Sequence, residues 1–225
     1  MSNLKIFEYG MRVCSTTGPY NSTLLKKWGR NWVFNKPTMI VGGGICKDTI
    51  HSMKQTAGVI TNSIPEHTIN DRVVEFKSIR ENIFQGGTYI GVCNGAYIAG
   101  KEFLYDDYSG TRILHPGIGL LRTPILGPVY PQLSGSFINI TDSFGRPHSM
   151  WYKNGGTFPQ QIINEKVKYK VHAIYHDETF PAIVSFRYGK GTVVLSGIHP
   201  EYINDGSVKP YILFDHIFKS LELVI

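Results

Sequence analysis

GGTYIGVCNGAY, residues 86–97, places three things in a row: a β-rich apolar run (Thr88–Val92), a cysteine in the pattern Gly-x-Cys-x-Gly (Gly91, Cys93, Gly95), and small residues suited to open a helix over 94–100. Strand, sharp turn and helix in that order form a nucleophile elbow, in which a strained turn exposes one reactive side chain. Gly91 and Gly95 keep side chains out of the close approach between strand and helix. The amides and dipole at the helix start favour a thiolate at Cys93. A cysteine among small residues is by itself more commonly a buried core residue. The elbow therefore needs partners elsewhere in the chain.

The chain around it reads as alternating strands and helices. Val73, Phe76, Ile79 and Ile83 recur at helical spacing over 71–85, with Asn70 as the cap and Gly86 as the stop. Upstream, Leu4–Tyr9 reads as a strand, Thr23–Trp28 as part of a helix, and Thr38–Val41 as a strand stopped by Gly42, Gly43 and Gly44. Such alternation predicts a parallel sheet. Downstream, 136–141, 168–175, 182–188 and 192–196 read as strands, which adds antiparallel members, and 208–221 reads as a closing helix. With no linker or repeat visible, one domain over 1–225 is expected.

The partners of the elbow come late. Thr192–Ser196 is a buried-looking strand that leads through Gly197 and Ile198 to His199-Pro200-Glu201. The carboxyl end of such a strand is where reactive groups sit. A residue before proline is pushed to the extended region, which predicts His199 and Glu201 at i and i+2 on one side of the backbone. His199 would then take the proton of Cys93, with Glu201 fixing its tautomer. The alternative is a capped strand end with a solvated histidine.

Composition sets the frame. The 225 residues are 42% hydrophobic and 18% charged, which excludes a mostly disordered chain. The net charge of +6 comes from scattered basic residues, the tightest group being Lys26, Lys27 and Arg30 around Trp28. That spacing suits an exposed helix face, and neither nucleic acid nor membrane is expected as a partner. Cys14, Cys46 and Cys93 are far apart and form no CxxC pair, so reduced thiols and a cytoplasmic protein are expected. His172 and His176 share a strand face without an obvious third ligand, and no metal or other cofactor is expected. Gly42–Gly44 and Gly117-Ile118-Gly119 lack the remaining residues of nucleotide-binding loops.

The runs 86–97 and 189–202 (GKGTVVLSGIHPEY) resemble class I glutamine amidotransferase-like proteins. WYKNGGTFPQ (151–160) and the glycines 42–44 narrow the resemblance to the N-terminal domain associated with biotin-protein ligases. The likeness spans about residues 37 to 202. It implies an α/β flavodoxin-like, mostly parallel sheet flanked by helices, with some antiparallel strands in the C-terminal half. It also implies a Cys93–His199–Glu201 triad and an oxyanion hole of backbone N–H groups from Gly43, Gly44 and Asn94. True glutaminases carry a glutamine shortly after the nucleophile where this chain has Tyr97, which leaves open whether glutamine is the substrate. Asn94 stands where related domains have a small residue. No ligase catalytic segment is present, so biotin ligation is not implied, and amide transfer would need a separate synthetase or ligase chain.

Trp151, Tyr152, Asn154, Gly155 and Gly156, with Tyr97, could line a pocket for a small amide or acyl substrate. Equally, the loop could be a hairpin whose turn needs asparagine and glycine. Three functions remain open: acyl transfer or amide hydrolysis through Cys93, a non-catalytic ligand-binding or regulatory module, and a lyase-like cysteine chemistry.

Overall fold

The computed structural model describes residues 11–14, 32–42, 69–106, 112–133, 135–159, 161–162, 165–166, 168–176, 179–202 and 211–224. In chain order the elements are β1 (Met11–Cys14), β2 (Thr38–Val41), α1 (Ile69–Phe84), β3 (Thr88–Val92), α2 (Asn94–Ala99), β4 (Glu102–Asp106), β5 (Arg112–Pro116) and β6 (Ile125–Gly127). There follow β7 (Ser136–Asp142), β8 (Pro147–Tyr152), β9 (Gln161–Ile162), β10 (Glu165–Lys166), β11 (Lys170–Tyr175), β12 (Pro181–Tyr188), β13 (Gly191–Ser196) and α3 (Tyr211–Ser220). The Leu4–Tyr9 strand, the Thr23–Trp28 helix, the Lys26–Arg30 cluster, Gly43, Gly44 and Cys46 lie outside the described residues.

Eight strands form one mixed sheet in the order β1-β2-β3-β13-β12-β11-β7-β8. β1, β2, β3 and β13 pair in parallel, while β13-β12, β12-β11, β11-β7 and β7-β8 are antiparallel. The α/β expectation holds, but "mostly parallel" is corrected to mixed, with three parallel and four antiparallel pairings in the eight-stranded sheet. The reason is local: β12 turns into β13 across Gly189 and Lys190, with Gly189 at φ 60, and β7 turns into β8 after Asp142. Such short turns can join only antiparallel neighbours. A three-stranded sheet β5-β4-β6 and a two-stranded one β10-β9 complete the strands.

The central strands are covered on both faces, so their side chains alternate between two apolar layers. Met39 and Val41 of β2, Tyr89 of β3, and Val193 and Leu195 of β13 meet Phe76, Ile79 and Ile83 of α1. The intervening Ile40, Ile90, Val92 and Val194 meet Leu213, Phe214, Ile217 and Phe218 of α3. A two-sided core explains why β2, β3 and β13 read as continuous apolar runs rather than alternating ones. α1 starts at Ile69, which puts Asn70 inside the helix instead of at its cap. Its end is as expected: Gly86, at φ 130, leaves the helix and donates its N–H to Ile83. Among the described residues no helix is long and apolar enough to cross a membrane.

Candidate active site

β3 ends at Val92, and Cys93 takes φ 51 and ψ −108 before α2 begins. A side chain in that region of backbone space is strained, the mark of a nucleophile elbow. The carbonyl of Cys93 accepts from the amides of Ala96 (2.9 Å) and Tyr97 (3.1 Å), which starts the helix. A Cβ on Gly91 would lie 2.6 Å from the Gly95 carbonyl oxygen, and one on Gly95 would overlap the carbonyl of Val41. Both positions therefore need glycine for close approach, as expected. Tyr89 Oη donates to the Gly95 carbonyl at 2.7 Å and pins the turn from below.

β13 lies beside β3 in parallel register, with Ser196 opposite Val92. The chain leaves β13 through Gly197, whose N–H donates to Ala182 (2.9 Å), and reaches His199, whose N–H donates to the Trp151 carbonyl at 2.8 Å. This single bridge to β8 fixes the histidine backbone. Nδ1 of His199 donates to Oε1 of Glu201 at 2.8 Å, with His199 wholly buried and Glu201 7% exposed. The contact was expected, but its geometry differs. Residues 200 and 201 form a turn closed by Tyr202 N–H to the His199 carbonyl (3.4 Å), not an extended segment. Oε2 of Glu201 has no hydrogen-bond partner among the described residues.

Burial by itself pulls the imidazole toward neutrality. Cys93 and Glu201, through charge and hydrogen bonding, outweigh it and raise the His199 pKa to about 10. Cys93 is 8% exposed, and its Sγ sits 3.4 Å from the Lys153 carbonyl oxygen, to which the thiol donates.

Of the residues expected to line a pocket, Tyr152 is fully buried and belongs to the core. Its hydroxyl accepts from the Tyr130 amide (2.8 Å) and donates to the Gly155 carbonyl (3.0 Å). Tyr97 is likewise buried and donates to the Asn154 carbonyl at 2.9 Å. Asn154 sits at φ 56, the left-handed conformation that asparagine tolerates, but β8 pairs with no strand other than the preceding β7 among the described residues, so this loop is not the turn of a hairpin. Gly155 and Gly156 serve close packing, against the carbonyl of Gly197 and the ring of Tyr97. Asn94 is the first residue of α2, directly after Cys93.

Trp151, Tyr175 and Tyr202 had no assigned place beside the histidine. Trp151 stacks on Tyr202 at 5.5 Å, and Tyr202 meets the His199 ring edge-on at 5.9 Å. The aromatic content of 151–152 was the one visible signal, and no local pattern ties Tyr175 or Tyr202 to it. His172 and His176 part company: His172 Nε2 lies 2.7 Å from Ser185 Oγ, and His176 Nδ1 lies 3.1 Å from Thr141 Oγ1.

No family model matches the chain. In three dimensions it is similar to a crystal structure of a glutamine amidotransferase, with a TM-score of 0.60 at 16% identity, covering 96% of this chain and 100% of that one. In sequence it is 28% identical over 147 residues to the biotin--protein ligase of Schizosaccharomyces pombe (strain 972 / ATCC 24843), 59% of this chain and 23% of the ligase. An uncharacterised protein of Chlamydia muridarum (strain MoPn / Nigg) is 28% identical over 131 residues, 53% of this chain and 49% of that protein. The matched stretches thus span less than half the length of either relative. The fold is that of a glutamine amidotransferase-like α/β protein. The amidotransferase likeness is one of fold, and the ligase likeness is one of sequence over part of each chain.

Proposed function

We propose that the protein is a cysteine-nucleophile hydrolase or acyl-transfer enzyme of the amidotransferase-like kind, acting on a small amide or acyl substrate. The observation that carries this reading is the buried His199–Glu201 pair at 2.8 Å beside a cysteine held at φ 51 just past the end of the adjacent strand. Cys93 loses its proton to solvent, and its Sγ, as the thiolate beside protonated His199, attacks the substrate carbonyl carbon. The tetrahedral oxyanion is held by backbone N–H groups of Asn94 and the Gly43–Gly44 loop. His199 gives its proton to the leaving amine, the C–N bond breaks, and a thioester remains on Cys93. Water, deprotonated by His199, cleaves the thioester and restores the thiol. An amide-transfer role would place a synthetase or ligase chain beside this one to receive ammonia.

Alkylation of Cys93, followed by peptide mass spectrometry with Cys14 and Cys46 as internal references, tests the pair. At neutral pH His199→Ala should slow Cys93 roughly tenfold or more while leaving the references unchanged. A Cys93 rate indifferent to His199 sinks the catalytic reading. The second reading, a binding or regulatory module that keeps the fold, draws on the 8% exposure of Cys93 beneath the Lys153 carbonyl. A module would bind its ligand equally well after Cys93→Ala.

A further inference from the structure

Four successive backbone carbonyls each accept a hydrogen bond from a different side chain. Cys93 Sγ reaches Lys153 at 3.4 Å, Tyr97 Oη reaches Asn154 at 2.9 Å, Tyr152 Oη reaches Gly155 at 3.0 Å, and Tyr175 Oη reaches Gly156 at 2.9 Å. The donors come from the elbow, α2, β8 and β11, so residues 153–156 form a strap tied to four separate pieces of the fold. A regular strand turns successive carbonyls to opposite sides. Asn154 at φ 56 breaks that alternation.

The strap also presses on the segment that carries the histidine. A Cβ on Gly155 would overlap the Gly197 carbonyl, and one on Gly197 would overlap Tyr175 Oη and the Gly156 carbonyl. Gly197 lies two residues before His199. One short segment is therefore packed against the neighbours of both members of the Cys93–His199 pair.

We infer that Tyr97, Tyr152 and Tyr175 are positioning residues that act on Cys93 through this strap, holding the Lys153 carbonyl as the acceptor for the thiol proton in the resting state. The inference rests on Cys93 being the nucleophile. A carbonyl can accept from S–H and offers nothing to a thiolate, so the strap stabilises the protonated form. On activation the S–H bond breaks, the proton leaves to solvent, the hydrogen bond to Lys153 is given up, and the thiolate faces the protonated His199. Each tyrosine hydroxyl works by fixing a carbonyl of the strap.

Tyr97→Phe and Tyr175→Phe each remove one tie without removing a ring. In the full chain, the Cys93 alkylation rate with iodoacetamide is measured at about pH 7 and about pH 9.5, and the ratio of the two rates is compared with wild type. Loosening the strap should raise that ratio about two- to fivefold, the scale of one weak S–H hydrogen bond. A site that merely becomes more open speeds both rates equally and leaves the ratio where it was. An unchanged ratio in a folded variant, whatever its melting temperature, overturns the inference. The two tyrosines sit on different elements, so if circular dichroism shows one variant unfolded, the other decides. A wild-type rate indifferent to His199→Ala would defeat the catalytic reading alone, since the strap ratio is read without reference to His199.

Discussion

The backbone amide of Cys93 donates to the carbonyl of Ser196 at 2.8 Å, continuing the parallel pairing of Val92 with Ser196 one step past the end of β3. Cys93 and the strand that delivers His199 are therefore coupled by the central ladder of the sheet and not by loops. Two adjacent parallel strands end at the same height, and the candidate site sits where both stop. Changes in the sheet centre should then register at the site.

The strain at Cys93 is testable by comparing two variants that both lack the thiol. Ala keeps a Cβ at φ 51, whereas Gly accepts that conformation freely. Strain of this kind costs about 1–3 kcal/mol, and the extra freedom glycine has in the unfolded chain takes back about 0.5–1 kcal/mol. Cys93→Gly should be more stable than Cys93→Ala by about 1 kcal/mol in urea unfolding. Equal stabilities would mean that the elbow stores no strain at this residue.

Glu201→Gln keeps the shape of the side chain and removes its charge. The His199 pKa of about 10 lies above its ordinary 6.5. Protonated His199 thus stabilises the fold fully below about pH 6.5, and that contribution fades as pH climbs toward 10. Without the carboxylate the shift shrinks, although Cys93 still supplies part of it. The stability gap between wild type and Glu201→Gln should be widest near pH 6, on the order of a few kcal/mol, and should close by about pH 10. Urea melts at several pH values measure it. A gap independent of pH would assign Glu201 a packing role only.

β2, β3 and β13 were legible because strands buried on both faces leave unbroken apolar runs, and the glycines at 91 and 95 mark a contact too close for a side chain. The pairing of His199 with Glu201 was legible from their nearness in sequence, but the extended segment expected from Pro200 is a turn. β8 was not. Pro147, His148 and Ser149 carry little strand preference, and their conformation comes from six-residue pairing with β7. The anchoring of His199 by Trp151 and the ties from Tyr97 and Tyr175 to the strap join residues distant in sequence, so no window along the chain contains them. Tyr152 was read as pocket lining because an aromatic beside Asn and Gly suits a loop. It is core because the Tyr130 amide and the Gly155 carbonyl satisfy its hydroxyl.

Gly95 carries the tightest part of the elbow, and its replacement separates fold from chemistry. An added methyl would overlap the Val41 carbonyl, a backbone atom that cannot swing aside. Overpacking of this kind costs about 1–3 kcal/mol or more. Gly95→Ala should lose that much in urea unfolding and displace Cys93, whereas Gly145→Ala, with nothing within 4 Å of the new methyl, should cost only the strain of φ 80. If both variants unfold at the same denaturant concentration, the close approach of α2 to β2 is not what the backbone distances imply.

Asp142 closes the β7–β8 hairpin that brings Trp151 to His199. Its side chain is almost wholly buried, and its oxygens accept from the Phe144 and Arg146 amides (both 2.9 Å), from Arg146 Nε (2.8 Å) and from His148 Nε2 (2.9 Å). Burial opposes the charged form, but His148, the two amides and the Arg146 side chain prevail and bring the pKa down from 3.8 to about 2. The carboxylate therefore stabilises the fold above about pH 4, and that stability is lost as pH falls toward 2. A shift of this size corresponds to about 2 kcal/mol. Asp142→Asn keeps part of the hydrogen bonding and loses the charge, so it should lower stability at neutral pH by about that amount and flatten the acid limb of the unfolding profile between about pH 4 and pH 2. Because the hairpin holds the backbone of His199 through Trp151, the same variant should also slow Cys93 alkylation at neutral pH. A variant that loses stability and leaves the alkylation rate untouched would show that the hairpin turn and the Trp151–His199 bridge are energetically independent.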